Sequence, residues 1–302
     1  MTNASPGTTT NASPGVPTNG ASDVPTNASP SAQAATPATT PTYAQAATPT
    51  GAIGLVVLDM AGTTVADDGL VERAFGAAAE RLGVVPGTPE HAAQLEYVRA
   101  TMGESKISVF RHLFGDEERA RRANAAFEQA YAELVGAGHC APVPGAREAI
   151  ERLRADGRTV ALTTGFARTT QDAILAALGW DRGLVDLTLC PADAGGRGRP
   201  YPDMVLAALL RTKAADDVRG IAVAGDTSYD MLSGRRAGAG LVAGVLTGAH
   251  DEPALRAAGA THVLPSVAAL PDAIARWERA TVDGPASSTV PVDRAGTPEA
   301  RP

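Results

Sequence analysis

The apolar positions of this chain come in two rhythms. Short apolar runs at 53–59, 158–164, 185–190, 219–225 and 241–246 are long enough for a strand and too short for a stable helix. Between or after them, at 143–156, 168–179, 201–213, 228–237 and 266–279, apolar residues recur at the three-to-four spacing of one helix face. The first run, Leu55, Val56, Val57 and Leu58, is apolar at every position, as a strand covered on both faces must be. The alternation predicts an α/β fold, a parallel Rossmann-like sheet with helices on both faces, built from right-handed βαβ units. Ligands of such sheets sit at the carboxyl ends of the strands, where strand order switches.

One interval breaks the rhythm. Residues 67–140 hold no strand pattern and read as helices at 69–82, 88–100, 105–114 and 117–136. They predict a helical cap inserted after the first strand, with Gly69 on one side and Pro142, Pro144 and Gly145 on the other as hinges. The core would then comprise 52–66 and 141–280. The ends differ in kind. Residues 1–51 carry one charge, Asp23, and one aromatic, Tyr43, and repeat "TNASPG" at 2–7 and 10–15. Such text buries too little apolar area to offset chain entropy, so 1–51 and the similar 281–302 are expected to be disordered tails. The glycosylation triplets at Asn3, Asn11 and Asn27 are expected to go unused, because no signal peptide precedes them.

Polar residues gather where the strands should end. Asp59 closes the first run abruptly; Thr163 and Thr164 close the second; "GRPYPDM" (198–204) follows the third; Asp226 closes the fourth, with Asp230 one helical turn on. Asp59 and Asp226 can share Mg²⁺, a hard cation that takes carboxylates and keeps waters. Asp59 can attack phosphorus to give an aspartyl-phosphate that water later hydrolyses. Thr164 can donate to a phosphate oxygen and Arg199 can offer it a charged fork, unless Arg197 takes that place. Asp230 suits an indirect or water-held metal contact. Thr163 and Thr164 point to opposite faces of a strand, so one of them touches phosphate.

This set, "DMAGTT", "TTG", "GRPYP" and "GDTSYD" in that order, resembles the haloacid dehalogenase superfamily of phosphotransferases over roughly 53–280, and the insert resembles its helical cap. Most phosphatases of that superfamily carry an acid two residues after the nucleophile. Here that residue is Ala61, which can offer a metal only its carbonyl. The phosphonoacetaldehyde hydrolase (phosphonatase) branch also reads Asp-x-Ala-Gly-Thr-Thr, with Met-Gly-x-x-Lys in its cap and Arg in the basic motif; this chain has "MGESK" (102–106) and Arg199. The resemblance implies that Lys106 forms an imine with an aldehyde, so that a P–C bond breaks to an enamine and no ester-type acid is needed. It also implies substrate contacts at Ala61, Gly62, Thr63, Met102, Gly165 and Phe166, and metal contacts at Asp59, Ala61, Asp226 and Asp230. Two positions depart from the branch: Phe166 stands for its Tyr and Val109 for its His.

Two rival readings stay open. In one, the substrate is a phosphate ester and Lys106 only balances charge. In the other, the fold is a phosphate-sensing binding module. Composition narrows the partners. A net charge of −7 argues against a nucleic-acid binder, and no apolar run is long enough to span a membrane. Two cysteines, Cys140 and Cys190, argue against a disulfide framework and lead to the expectation of a cytoplasmic protein. Nothing in the sequence argues against a homodimer. The five histidines show no ligand spacing.

Overall fold

The computed structural model describes residues 52–283; the expected tails at 1–51 and from 284 onward lie outside them. A six-stranded parallel sheet has the order β3-β2-β1-β4-β5-β6. Its strands are β1 (Leu55–Asp59), β2 (Thr159–Thr163), β3 (Leu187–Leu189), β4 (Ile221–Gly225), β5 (Leu241–Val245) and β6 (His262–Leu264). Every residue of β1 is buried, and β1 lies between β2 and β4, in register from Leu55 against Thr159 and Ile221. The two halves of the sheet therefore part at β1, the switch in order at which a crevice opens.

The pleat divides the core. Leu55 and Val57 face one layer with Val205 and Ala208 of α7 (Asp203–Thr212) and Ala237 of α8 (Ser228–Ala237). Val56 and Leu58 face the other, with Ile150 and Leu153 of α5 (Ala146–Ala155), Ile174 of α6 (Arg168–Leu178) and Ile274 of α10 (Leu270–Asp283). Between β1 and β2 run α1 (Leu70–Arg81), α2 (Pro89–Ala100), α3 (Lys106–Phe114) and α4 (Glu117–Leu134). They share an aromatic centre in which Phe110 stacks on Phe75 at 5.5 Å and meets Phe127 edge-on at 6.0 Å. The two chain passages into and out of this segment lie side by side: Ala66 N–H donates to Ala141 O (2.9 Å) and Val143 N–H to Thr64 O (3.0 Å). The helical segment is thus tied to the sheet by a paired stem.

The elements differ from the expected ones in three places. Strand β6 and helix α9 (Glu252–Ala258) complete the sheet beyond the expected five strands. Helix α10 continues to Asp283, three residues into the segment expected as a tail. Residues 266–269, expected as helix, begin instead with a 3₁₀ turn at Val267–Ala269, capped by Ser266. No helix among the described residues is long and apolar enough to cross a membrane.

Candidate active site

Asp59 is the last residue of β1, and the chain turns sharply after it: the N–H groups of Thr63, Thr64 and Val65 all converge on Met60 O at 3.1, 2.9 and 2.8 Å. The turn requires a glycine. Gly62 has φ +83°, and a Cβ there would meet Asp226 Oδ2 at 2.4 Å. Asp226 follows β4 and is held from three sides. Thr63 Oγ1 donates to its Oδ1 (3.0 Å), Ala249 N–H donates to its Oδ2 (2.8 Å), and His250 N–H donates to its carbonyl (3.2 Å). Asp230 closes the capping box of α8, its Oδ2 accepting from Thr227 N–H (3.1 Å) and Oγ1 (2.5 Å).

Arg199 bridges these carboxylates. Its two terminal nitrogens donate to Asp59 Oδ1 (2.5 Å) and Asp230 Oδ1 (2.6 Å), with all three side chains buried. Arg199, not Arg197, therefore enters the site; Arg197 is exposed and pairs with Asp203 at 3.6 Å. The sequence reading gives the Arg199 fork to a phosphate, whereas here it spans two carboxylates and leaves only its buried Nε without a partner. Although burial works against its charge, Asp230 and Asp59 hold the guanidinium above its ordinary value.

Oxygens of Asp59, Asp226 and Asp230 lie within 4.8 Å of one another. Burial lifts the Asp59 carboxyl well above the ordinary carboxylate value, against the pull of Arg199, and lifts Asp226 to about 6, with Asp230 adding to the rise. Three buried carboxylates facing one guanidinium lack two positive charges, which is the charge of one divalent cation. The oxygen-only donor set also suits Mg²⁺. Asp59 and Asp226 are the residues placed to touch such an ion, because both line the cavity above the cluster and Asp230 does not.

Above this cluster is a cavity of about 640 Å³, whose lining includes Asp59, Ala61, Met102, Lys106, Thr164, Gly165, Phe166, Arg199 and Asp226. Lys106 reaches it because its loop seats tightly on the sheet rim. Lys106 N–H donates to Gly165 O (3.2 Å). A Cβ on Gly165 would approach Glu104 O to 2.7 Å, and a Cβ on Gly103, which has φ +91°, would meet Thr227 Oγ1 at 2.3 Å. Lys106 is 7% exposed as a residue; its ammonium sits 5.8 Å from the centre of the Phe166 ring and forms no ion pair or hydrogen bond with a described side chain. Burial lowers its pKa, opposed most by Asp67.

Not every expected residue reaches the cavity. Thr63 is fully buried behind it and serves Asp226, and Gly62 supplies the turn, its carbonyl accepting from Thr247 Oγ1 (2.7 Å). Neither lines the cavity, because the turn points them beneath the carboxylates. Of the two threonines, Thr164 lines it and accepts from Phe166 N–H (3.2 Å), while Thr163 donates to Leu58 O (3.4 Å) within the sheet. The structure adds Asp67, Glu72, Arg99, Glu104 and Thr227 to the lining, and Thr247, Gly248 and Ala249 after β5. The signal for the last three was the Thr-Gly following the fifth strand, a fifth delivery to the same rim. His250 lies beside the site as a structural acceptor, its Nδ1 taking Ser228 N–H (2.9 Å).

A family model described as haloacid dehalogenase-like hydrolase matches residues 53–238. The chain belongs to the haloacid dehalogenase-like hydrolases. It is an enzyme of the hydrolase class. It is 31% identical over 209 residues to a "Probable phosphatase IndB" of Dickeya dadantii, covering 68% of this chain and 86% of that one. It is 30% identical over 205 residues to a phosphonoacetaldehyde hydrolase of Pseudomonas fluorescens, covering 62% of this chain and 71% of that one. Among solved structures, a phosphonoacetaldehyde hydrolase like protein from Oleispira antarctica superposes with a TM-score of 0.66 at 24% identity, over 77% of this chain and 95% of that one, and so shares the fold.

Proposed function

We propose that this hydrolase cleaves the P–C bond of a small phosphonoaldehyde, using Mg²⁺, Asp59 as nucleophile and Lys106 as imine-forming amine. The observation that carries the reading is Lys106: a buried lysine that makes no ion pair or hydrogen bond with a described side chain, in one cavity with Asp59. A lysine that only neutralised phosphate would have no need of an environment that disfavours its charge. Ala61 supports the same reading, since its side chain cannot protonate a leaving alcohol, and relatives named phosphonoacetaldehyde hydrolase fit it.

The helical segment α1–α4 acts as the cap. Neutral Lys106 adds to the aldehyde carbon, water leaves, and a protonated imine remains. The P–C bonding pair then moves into the imine to give an enamine, while phosphorus passes to an Asp59 oxygen. Thr164 donates to a phosphoryl oxygen, and the Arg199 nitrogen now held by Asp59 is transferred to the phosphoryl group as Asp59 attacks. Water hydrolyses the aspartyl-phosphate, and the enamine takes a proton at carbon and is hydrolysed, freeing Lys106. When bound by Asp59 and Asp226, with the Ala61 carbonyl and with Asp230 behind them, Mg²⁺ supplies charge neutralisation.

A second reading, a phosphate-ester phosphatase in which Lys106 only balances charge, is favoured by Phe166 and Val109 and by the relative named a phosphatase. Borohydride added with phosphonoacetaldehyde separates the two. The imine reading expects a covalent adduct on Lys106 by peptide mass and near-complete loss of P–C cleavage in Lys106→Arg. Ester hydrolysis intact in that variant, with no adduct in wild type across several aldehydes, would decide for the phosphatase.

A further inference from the structure

We propose that Asp67 exchanges protons with Lys106 during imine formation, an assignment that rests on the imine reading above. An amine adds to a carbonyl only after losing its proton, so an acceptor must stand near Lys106. Phe166, whose ring centre lies 5.8 Å from the ammonium, accepts no proton. The charged groups acting on Lys106 include Asp67 from the stem, Arg199, Asp59 at the end of β1, Glu128 from α4 and Glu104 from the lysine's own loop, and Asp67 acts most strongly.

Two of these four carboxylates are committed elsewhere, and Glu104 is the alternative that the experiment below separates. Asp59 holds Arg199 and is the nucleophile. Glu128 accepts from Thr170 Oγ1 and from Ala167 N–H (3.2 Å). Asp67 is tethered at one oxygen only, its Oδ1 accepting Val71 N–H at 3.2 Å at the foot of α1, and it lines the cavity. Its remaining oxygen is free to accept. The two side chains form no direct ion pair, so the proton passes through water or after a small side-chain movement within the shared cavity. Burial raises the Asp67 carboxyl and lowers the Lys106 ammonium, while Glu72 and Asp68 beside Asp67 push its value further up. Both shifts bring the pair closer in proton affinity and so ease the transfer.

The step balances. The Lys106 ammonium gives a proton to the Asp67 carboxylate, leaving a neutral amine and a carboxylic acid. The amine forms the C–N bond, and its extra proton passes to the alkoxide, giving a carbinolamine. Asp67 returns its proton to the carbinolamine hydroxyl, the C–O bond breaks, water leaves and the protonated imine remains with Asp67 again ionised.

The test is the rate of Lys106 trapping by borohydride with phosphonoacetaldehyde, measured on the full chain with Mg²⁺ from pH 6 to about 9. Asp67→Asn keeps an oxygen for Val71 N–H but cannot carry the proton. Trapping should slow about 10²-fold at neutral pH and rise more steeply with pH than in wild type, as solvent base takes over. Asp67→Glu, which keeps the carboxylate, should recover much of the lost rate. The Asn variant trapping at the wild-type rate with the wild-type pH profile overturns the assignment. So does a Glu variant as slow as Asn, or a loss found in Glu104→Gln and not in Asp67→Asn. Wild type that yields no Lys106 adduct removes the imine reading itself, and the assignment with it; wild-type trapping with an unaffected Asn variant removes only the assignment.

Discussion

Lys106 carries a charge where charge is costly, and the cost has a pH signature. Burial puts its folded-state pKa below the ordinary 10.5. Below the folded value the lysine is protonated in both states and the folded state bears the whole penalty; above 10.5 it is neutral in both and the penalty is gone. Lys106→Met should therefore raise the melting temperature most near neutral pH, and the gain should shrink as pH climbs towards 10.5. Denaturation of both proteins across that range checks it; a gain independent of pH would mean that Lys106 is not electrostatically strained. Ala61 gives the complementary residue-level test. It lines the cavity together with Asp59, two residues after it in the chain, where the proposed reaction would need an acid to protonate a leaving alcohol. General acid catalysis is worth about 10²–10⁴-fold when well placed, so Ala61→Asp should raise phosphate-ester turnover relative to aldehyde cleavage, by at least about tenfold if placed only in part. Parallel assays on an ester panel and phosphonoacetaldehyde check it, with an unchanged ratio counting against the role given to Ala61.

The elements explain how a lysine on a helical segment meets an aspartate on the sheet. Loop 102–106 seats on loop 164–166, with Gly165 as the point of closest approach. In Gly165→Ala the new carbon would stand 2.7 Å from the Glu104 carbonyl oxygen, which is backbone and cannot swing aside. Overpacking of this kind costs about 1–3 kcal/mol, met here by moving the loop off the rim. The proposed aldehyde cleavage should fall at least about tenfold, the loss that 1.4 kcal/mol represents, while Mg²⁺ affinity at the proposed site among the strand-end carboxylates should persist; steady-state kinetics beside a Mg²⁺ titration separates the two. This scale also shows what could be read from sequence. Strands β1 to β5 and most helices were legible because their periodicity is local, and strand ends alone pointed to Asp59, Thr164 and Asp226. Helix α9 was legible and unused: Asp251 caps it, with Pro253 in its first turn and Gly259 at its end. Strand β6, three residues long, carries too little pattern to announce itself. The service of Thr63 to Asp226 spans 163 positions, and the exposure of Asp67 to Lys106 arises only once the helical segment folds back over the rim. Neither has a local signal.

At the scale of the molecule, the sheet is a device for placing like charges together. The switch in strand order at β1 puts the ends of β1 and β4 side by side, so Asp59 and Asp226 meet whatever their mutual repulsion, with Asp230 behind them and Arg199 as the one buried cation among the three. Folding without metal must bear that imbalance, and a divalent cation should relieve it. A ligand that binds only the folded state at 100 times its Kd contributes about 2.7 kcal/mol, and each kcal/mol moves the midpoint of a domain of this size by roughly 2–4 °C. Saturating Mg²⁺ should therefore raise the melting temperature by about 5–10 °C over the protein in chelator. Asp226→Asn distinguishes charge relief from general salt effects. The amide can still accept Ala249 N–H and turn its NH₂ towards the Thr63 hydroxyl, so the pocket need not open. The variant should melt higher than wild type in chelator, because one of the opposed charges is gone, and should gain little from Mg²⁺, because a ligand has gone with it. A variant that melts lower in chelator and still gains the full Mg²⁺ increment would show that Asp226 neither strains the free protein nor touches the ion.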